Sequence, residues 1–233
     1  MYFKTMFKKI FSGVANFIVP PICLCCGKPM IDKEIYICRQ CFLKLEKISP
    51  SFDIIKYQFH ENSFISHAIS LFLFKEDNPV QVMVHGLKYR QMRNIGKFFG
   101  RMIGFEISKR IRDNFDYIVP VPLHISKKRE RTYNQSEFIS KGISETLNIK
   151  VMDKCLKRVK FTQTQTKLNR EQRQENVRGA FSINQKFADN IPGKNIIIVD
   201  DVVTTGATIL ECARILKEES AGKIMVCSIA LAE

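Results

Sequence analysis

Short hydrophobic runs alternate with longer segments of helical spacing along residues 69–231. The runs predict strands at residues 69–74, 117–121, 150–155, 180–183, 195–200 and 223–231. The segments with apolar residues three or four positions apart predict helices at residues 79–89, 94–112, 135–147 and 207–219. Because strands and helices alternate, we predict an α/β fold with a mainly parallel sheet and helices on both of its faces.

The amino-terminal region lacks this alternation. Residues 1–19 place apolar side chains on one face of a helix. We expect an amphipathic helix docked on the rest of the protein, with weak membrane-surface association as the alternative. Residues 49–62 contain turn formers and little periodicity, which predicts a linker. The expected organisation is therefore an N-terminal unit at 1–50 and a larger domain at 63–233.

Composition narrows the class of protein. The 233 residues are 45% hydrophobic and 26% charged, which excludes global disorder. No run of 18 apolar residues occurs, so the sequence excludes a transmembrane helix. No small-residue cleavage site follows the apolar stretch within residues 1–19, so we expect no secretory signal and a cytoplasmic protein.

The net charge of +14 is unevenly distributed. Residues 80–180 carry 22 basic and 9 acidic side chains, whereas residues 181–233 carry 5 and 7. A solvated surface without a binding role would spread its lysines more evenly. The concentration favours a side of the protein that faces a polyanion or a phosphorylated small molecule.

Five of the eight cysteines lie between positions 23 and 41. Cys23 with Cys26, and Cys38 with Cys41, form two C-x-x-C pairs that suit tetrahedral zinc in a ribbon-like module. Cys25 could replace a neighbouring cysteine as a zinc ligand. The other interpretation is that the cysteines form a disulfide framework or are buried free thiols. The expected reducing compartment disfavours disulfides.

Residues 196–208 carry the most specific pattern, an apolar strand followed by two acids and a short turn before a helix. Backbone N–H groups, hydroxyls and the helix dipole of such a turn bind a phosphate dianion. The two acids, Asp200 and Asp201, would repel that phosphate, so sugar hydroxyls or Mg²⁺ are their expected partners. The turn consists of Thr204, Thr205, Gly206, Ala207 and Thr208.

The segment resembles the phosphoribosyl pyrophosphate (PRPP) motif of type I phosphoribosyltransferases over all thirteen residues. A ligand with a ribose, a 5′-phosphate and a metal-bound pyrophosphate fits its chemistry. The alternative is a generic strand, turn and helix whose acids cap the helix, and that pattern is much shorter. The resemblance makes Asp200 and Asp201 candidate catalytic residues.

Two further segments, 119–124 and 131–136, are similar to the middle motif of the ComF competence family. Residues 165–181 resemble that family's next block, and Lys88 fits a weaker match. The resemblance covers about residues 20–231. It implies a zinc ribbon fused to a type I phosphoribosyltransferase fold, which handles single-stranded DNA during uptake together with competence-machinery proteins.

Two residues depart from the family's pattern, and Tyr133 in place of phenylalanine is the milder change. Thr132 stands where the family usually has glycine, and we expect this loop to take a different path because threonine avoids positive φ. By resemblance and position, the other residues expected at the PRPP site are Val121, Pro122, Arg131, Asn134 and Gln135.

The basic side chains define candidate contacts with nucleic acid. They are Lys127, Lys128, Arg129, Arg170, Arg173 and Arg178, the last three in a polar stretch expected to act as a mobile lid. Aromatic side chains near basic residues are candidates for base stacking, namely Tyr89, Phe98, Phe99, Tyr133 and Phe161. At their helical spacing, Phe98 and Phe99 fit a hydrophobic core better than a stacking role.

Two functions follow from these observations. The first is a ComF-like protein that binds PRPP and single-stranded DNA in DNA uptake. The alternative is an active phosphoribosyltransferase of nucleotide metabolism, with Mg²⁺ and an acceptor that the sequence does not identify.

Overall fold

In a computed structural model of the protein, residues 21–30, 36–60, 64–160 and 170–232 are described. Five strands form one parallel sheet in the order β1, β7, β6, β2, β3. A separate antiparallel pair joins β4 to β5. The strands are β1 (His67–Phe74), β2 (Tyr117–Pro120), β3 (Lys150–Val151), β4 (Leu156–Arg158), β5 (Phe181–Ile183), β6 (Ile196–Val203) and β7 (Ile224–Ala232).

Helices connect these strands. They are α1 (Arg39–Leu43), α2 (Ile54–Phe59), α3 (Pro79–Tyr89), α4 (Arg93–Arg110), α5 (Ile125–Arg131), α6 (Gln135–Leu147), α7 (Arg170–Val177) and α8 (Ala207–Glu218). A 3₁₀ helix spans Gln185–Asn190. The start of α3 is fixed by the Asn78 side chain, which accepts from the Gln81 N–H, and by Pro79 in the first turn. Asn134 caps α6 in the same way.

Both faces of the sheet are buried, as the apolar strands predicted. Ile197 and Met225 belong to one hydrophobic cluster, which includes residues of α3, α4 and α6. Their neighbours Ile196 and Ile224 belong to a second cluster, which includes residues of α8. Alternate residues of each strand therefore contact opposite layers of helices. The predicted α/β class with a parallel sheet is confirmed.

The cysteine-bearing segment packs against this domain. Cys23 and Cys41 belong to the same hydrophobic cluster as β1 and α3. Residues 46–48 run antiparallel to β1: the Ile48 N–H donates to the Leu71 carbonyl, and Lys47 pairs with Phe72. The contact covers part of the exposed edge of β1. The division into units at 1–50 and 63–233 stays a prediction.

The structure corrects several expected boundaries. The predicted linker at 49–62 is wrong, because it contains α2, whose N-terminus is capped by Asp53 and whose Ile54 and Phe59 are buried. The strand expected to end at Asp200 continues through Val203. The strand expected at 150–155 is shorter. The amphipathic helix expected at 1–19 lies outside the described residues. Among the described helices, none is long and apolar enough to cross a membrane.

Candidate functional site

The two acids of the motif lie in the carboxyl-terminal half of β6. Asp200 accepts hydrogen bonds from the Ser136 hydroxyl, 3.2 Å away, and from the Asp201 N–H, 2.8 Å away. Asp201 is 8% exposed and forms an ion pair with Lys88 of α3, at 3.0 Å. Helices α3 and α6 thus supply one partner each to a carboxylate pair on the central strand.

These partners compensate the charge on Asp200 only in part. Burial raises the pKa of the Asp200 carboxyl, and the neighbouring Asp201 carboxylate raises it further, to about 7. The Asp201 N–H, Lys88 and Ser136 oppose this shift without cancelling it. An additional cation or a set of hydroxyl donors would satisfy the carboxylate pair.

A tight turn, which we call the phosphate turn (residues 204–208), follows β6. Gly206 has φ of 75°, in the left-handed region, and directly precedes α8 as its N-cap. The turn therefore presents the N-terminus of a twelve-residue helix beside the two acids. The sequence-predicted residues of the turn are all brought together here, lining one cavity with Asp200.

Helix α2 packs directly on the phosphate turn. The Gln58 side-chain amide donates to the carbonyl of Thr204. Phe59 lies so close that a Cβ added to Gly206 would be 2.8 Å from the Phe59 Cε1 atom. These contacts join a segment of the predicted linker to the motif, 146 positions away along the chain. Sequence reasoning missed Gln58 because a short helix between two modules carries little periodic signal.

Four basic side chains, which we call the cation cluster, lie close to one another: Lys88, Lys127, Arg131 and Arg158, from α3, α5 and β4. Lys88 and Arg158 also interact with the two acids. Burial lowers the pKa of the Lys127 ammonium, and repulsion from Arg131, Arg158 and Lys88 lowers it further. Burial also lowers the pKa of Arg158, while the Asp200 carboxylate opposes that shift. Glu130 opposes the shift at Lys127. Four like charges placed together favour the binding of an anion, which would relieve their repulsion.

Beside the cluster lies a cavity of about 290 Å³, lined by Pro122, Asn134 and Arg158 among others. The sequence does not identify Arg158, because the three-residue strand that carries it gives no local sign that its side chain approaches Asp200. Ser136 stood in a recognised segment but was not assigned a role.

The predicted loop residues mainly hold one another in place. The Asn134 amide donates to the Val121 carbonyl at 2.9 Å, and its oxygen accepts from the Ser136 N–H. Gln135 accepts from Arg131 at 3.2 Å. Both amide side chains are buried. The structure thus places Val121, Asn134 and Gln135 beside the site as supports of its neighbouring groups.

The expectation that Thr132 gives this loop a different path because it avoids positive φ is wrong. Thr132 has φ of 66°. A β-branched residue in this region is strained. The surrounding contacts hold it there: Tyr133 is buried and donates its hydroxyl proton to the Leu87 carbonyl, and Asn134 is bound as described above.

The described structure places only some of the residues predicted to contact nucleic acid at the candidate site. Lys127 belongs to the cation cluster, and Arg129 and Arg178 are exposed. The side chains of Lys128, Arg170 and Arg173 are outside the described part of the chain, as are residues 161–169 of the expected lid and its Phe161. Phe99 and Tyr133 are buried, so neither is available for stacking. Phe98 packs against the core, whereas Tyr89 is 51% exposed.

The cysteine pairs converge on one point. The sulfur atoms of Cys23, Cys26, Cys38 and Cys41 all lie within 4.8 Å of one another. Cys26 Sγ is 3.8 Å from Cys38 Sγ, the separation expected when two thiolates share a tetrahedral zinc ion at about 2.3 Å. The donor set fits zinc, and four cysteines at this spacing can hold such a metal.

The thiols of this region differ in their environments. Burial alone would raise the pKa of Cys23, but hydrogen bonds from the backbone of Cys38, Cys26 and Cys25 lower it to about 6. Burial raises the pKa of Cys25 to about 12, and the thiols of Cys23, Cys26 and Cys38 add to the shift. Cys25 points toward the Pro79 carbonyl, 3.9 Å away, and lies outside the group of four.

The parallel sheet and the strand-to-helix phosphate turn define a phosphoribosyltransferase-type domain. The family model described as "Phosphoribosyl transferase domain" matches residues 101–232. The chain belongs to this family.

Relatives named as competence and DNA utilization proteins also match the chain. Competence protein F of Haemophilus influenzae is 29% identical over 158 residues, which are 66% of this chain and 69% of the relative. DNA utilization protein YhgH of Escherichia coli K12 is 30% identical over 152 residues, 64% of this chain and 65% of the relative. The matches thus span about two thirds of each relative. The resemblance to the ComF competence family is confirmed.

Among solved structures, adenine phosphoribosyltransferase of Saccharomyces cerevisiae aligns with 84% of this chain and 87% of its own length. The sequence identity is 15% and the TM-score is 0.40.

Proposed function

We propose that the protein binds PRPP between the phosphate turn and the cation cluster. The supporting observation is the charge arrangement: a helix N-terminus with an adjoining turn on one side, two carboxylates in the middle, and four partly buried cations on the other. The three parts correspond to the 5′-phosphate, the ribose and the pyrophosphate of one ligand.

Each group has a role that its chemistry allows. Thr204, Thr205, Gly206, Ala207 and Thr208 would hold the 5′-phosphate through N–H groups and hydroxyls. Asp200 and Asp201 would accept hydrogen bonds from the ribose hydroxyls, directly or through a metal. Lys88, Lys127, Arg131 and Arg158 would hold the pyrophosphate. When bound, Mg²⁺ would neutralise part of the pyrophosphate charge, and the carboxylates with the ligand's own oxygens are the hard donors that it prefers.

The same arrangement supports transfer chemistry. Loss of pyrophosphate leaves a cation-like ribose, which the two carboxylates would stabilise while the cation cluster holds the leaving group. Asp200 and Asp201 are therefore our candidate catalytic residues.

We further propose that the protein works in DNA uptake in the cytoplasm, where it contacts single-stranded DNA and competence-machinery proteins. The names of its relatives and the +14 net charge support this role. Binding to DNA through phosphates would weaken steeply with added salt.

The experiment is calorimetric titration of PRPP with Mg²⁺ into the zinc-loaded protein. We expect binding that Asp200→Asn/Asp201→Asn weakens at least tenfold, because each carboxylate loses its charge and one of its two acceptor oxygens. The double variant must retain the circular dichroism spectrum and the zinc content of the wild-type protein. A folded wild-type protein that binds no PRPP would refute the proposal.

A further inference from the structure

Tyr89 is an exposed aromatic residue at the rim of the candidate site. It ends helix α3, directly after Lys88, and 51% of its surface is accessible. The His85 ring lies one helical turn earlier, with its centroid 4.6 Å from that of Tyr89 and tilted by 44°. The Arg131 guanidinium lies 5.1 Å from the centre of the Tyr89 ring and donates to the Tyr89 hydroxyl at 3.3 Å. We call these three residues the stacking platform.

The platform is continuous with the cation cluster. Arg131 belongs to both, and Lys88, the residue before Tyr89, reaches Asp201. The Arg131 Nε atom is buried and has no hydrogen-bond partner among the described residues. A phosphate beside Arg131 and Lys127 therefore leaves a neighbouring nucleotide base within reach of Tyr89.

We propose that Tyr89 stacks on a base of single-stranded DNA whose adjoining phosphate lies in the cation cluster, and that DNA and PRPP therefore compete for this cluster. The inference rests on the proposed function and names the surface that the DNA would use. Lys88, Lys127 and Arg131 provide the charge complementarity for the phosphate. About half of the Tyr89 surface stays accessible beside His85 and Arg131. Stacking on this exposed part does not depend on the identity of the base, because every base has a π-face.

Single strands fit this surface better than duplexes. The bases of a duplex are stacked on one another and unavailable to a side chain, whereas an unpaired base can leave the stack. Among the five aromatic residues considered for stacking, Tyr89 is the one that the described structure leaves half-exposed beside the cation cluster.

The first test compares a fluorescent oligodeoxythymidylate with an abasic oligomer that has the same number of phosphates. We expect Tyr89→Ala to weaken binding of the thymidylate about tenfold in anisotropy titrations, and Tyr89→Phe to change it little. Binding of the abasic oligomer should be the same for all three proteins. Phe105→Ala is the matched control, since Phe105 is also an exposed ring beside a lysine, 53% accessible with Lys109 at 4.0 Å, and lies outside the platform.

The second test adds PRPP with Mg²⁺ to the complex of the wild-type protein with the oligonucleotide. We expect PRPP at about ten times its own dissociation constant to raise the apparent dissociation constant for DNA at least fivefold, and further as more PRPP is added. DNA should raise the apparent dissociation constant for PRPP in the same way, because each ligand excludes the other. Ribose 5-phosphate at equal ionic strength lacks the pyrophosphate and should compete much less.

The outcomes separate the two proposals. If the folded wild-type protein binds PRPP but no oligonucleotide at low salt, both the proposed role in DNA binding and this inference are refuted. If it binds the oligonucleotide and Tyr89→Ala weakens the thymidylate and abasic oligomers equally, or PRPP leaves DNA binding unchanged, the inference is overturned while the proposed function stands.

Discussion

The phosphate turn and the cation cluster, the two ends of the candidate site, are encoded in different ways. Five consecutive residues, which run from the end of β6 into the first turn of α8, make the phosphate turn. Three elements, α3, α5 and β4, which begin at positions 79, 125 and 156, supply the four cations. The turn is thus a local structure that the fold positions, whereas the cation cluster exists only once the fold has formed.

This difference affects how each end tolerates change. A local turn depends on backbone dihedral angles and fails through strain. The stability of a cluster of like charges depends on the neighbouring groups, and the binding of an anion relieves the repulsion between the charges. Mutations at the two ends should therefore be separable with two partial ligands, ribose 5-phosphate for the turn and pyrophosphate for the cluster.

The largest expected effect is at the cation end, in Lys88→Met. The change leaves the buried Asp201 carboxylate without its partner, so we expect the free energy of unfolding to fall by about 3 kcal/mol. Pyrophosphate should bind at least tenfold more weakly and ribose 5-phosphate nearly as before. Chemical denaturation and calorimetry measure both. Lys97→Met, which breaks an exposed pair with Glu145, is the control and should cost no more than about 0.5 kcal/mol.

At the phosphate end, Gly206→Ala should cost about 2 kcal/mol, because alanine is strained at positive φ and its Cβ would meet Phe59. Ribose 5-phosphate binding should be lost and pyrophosphate binding kept. Gly193 also has positive φ, but an added Cβ would have no neighbour within 4 Å. Gly193→Ala should therefore show the strain alone, and equal effects of the two changes would contradict the role assigned to Phe59.

Asp200→Asn tests the carboxylates between the two ends. The raised pKa of Asp200, about 7, means that the folded protein holds a proton which the unfolded chain has released above pH 4. Wild-type stability should fall as the pH rises from about 4 to 7, by at most about 1.4 kcal/mol per pH unit. The asparagine variant should lack this slope. Parallel profiles for the two proteins, from denaturation without ligand, would show that Asp200 keeps an ordinary pKa.

Gln58→Ala tests whether the phosphate turn depends on contacts with a segment that is distant in the sequence. Loss of the hydrogen bond to the Thr204 carbonyl should cost about 1 kcal/mol and weaken ribose 5-phosphate about fivefold. Pyrophosphate binding should not change. If both partial ligands weaken equally, α2 supports the whole site rather than the turn.

The smallest effect is expected for Thr132→Gly, beside the cation end. Glycine relieves the strain at φ of 66° but loses more entropy on folding. The net gain should be about 0.5 kcal/mol in denaturation. A loss of stability would mean that the threonine side chain makes contacts worth more than the strain.

The same contrast explains what the sequence could predict. Helices α3 and α6 begin and end where expected, because Asn78 and Asn134 cap regular apolar patterns. The phosphate turn was predicted residue by residue, since its chemistry lies in consecutive positions. Arg158 was missed because its approach to Asp200 depends on the β4–β5 pairing. The positive φ of Thr132 was missed because tertiary contacts overrule an intrinsic preference.

The position of β1 in the sheet has a consequence for biosynthesis. The hydroxyls of Ser70 in β1 and Ser228 in β7 are 2.6 Å apart, yet the residues are 158 positions apart in the chain. At about 5–20 residues per second, a ribosome needs roughly eight to thirty seconds to make the strand that pairs with β1. Until then the hydrophobic strand has no parallel partner, so nascent chains should depend on chaperones, and premature release should favour aggregation.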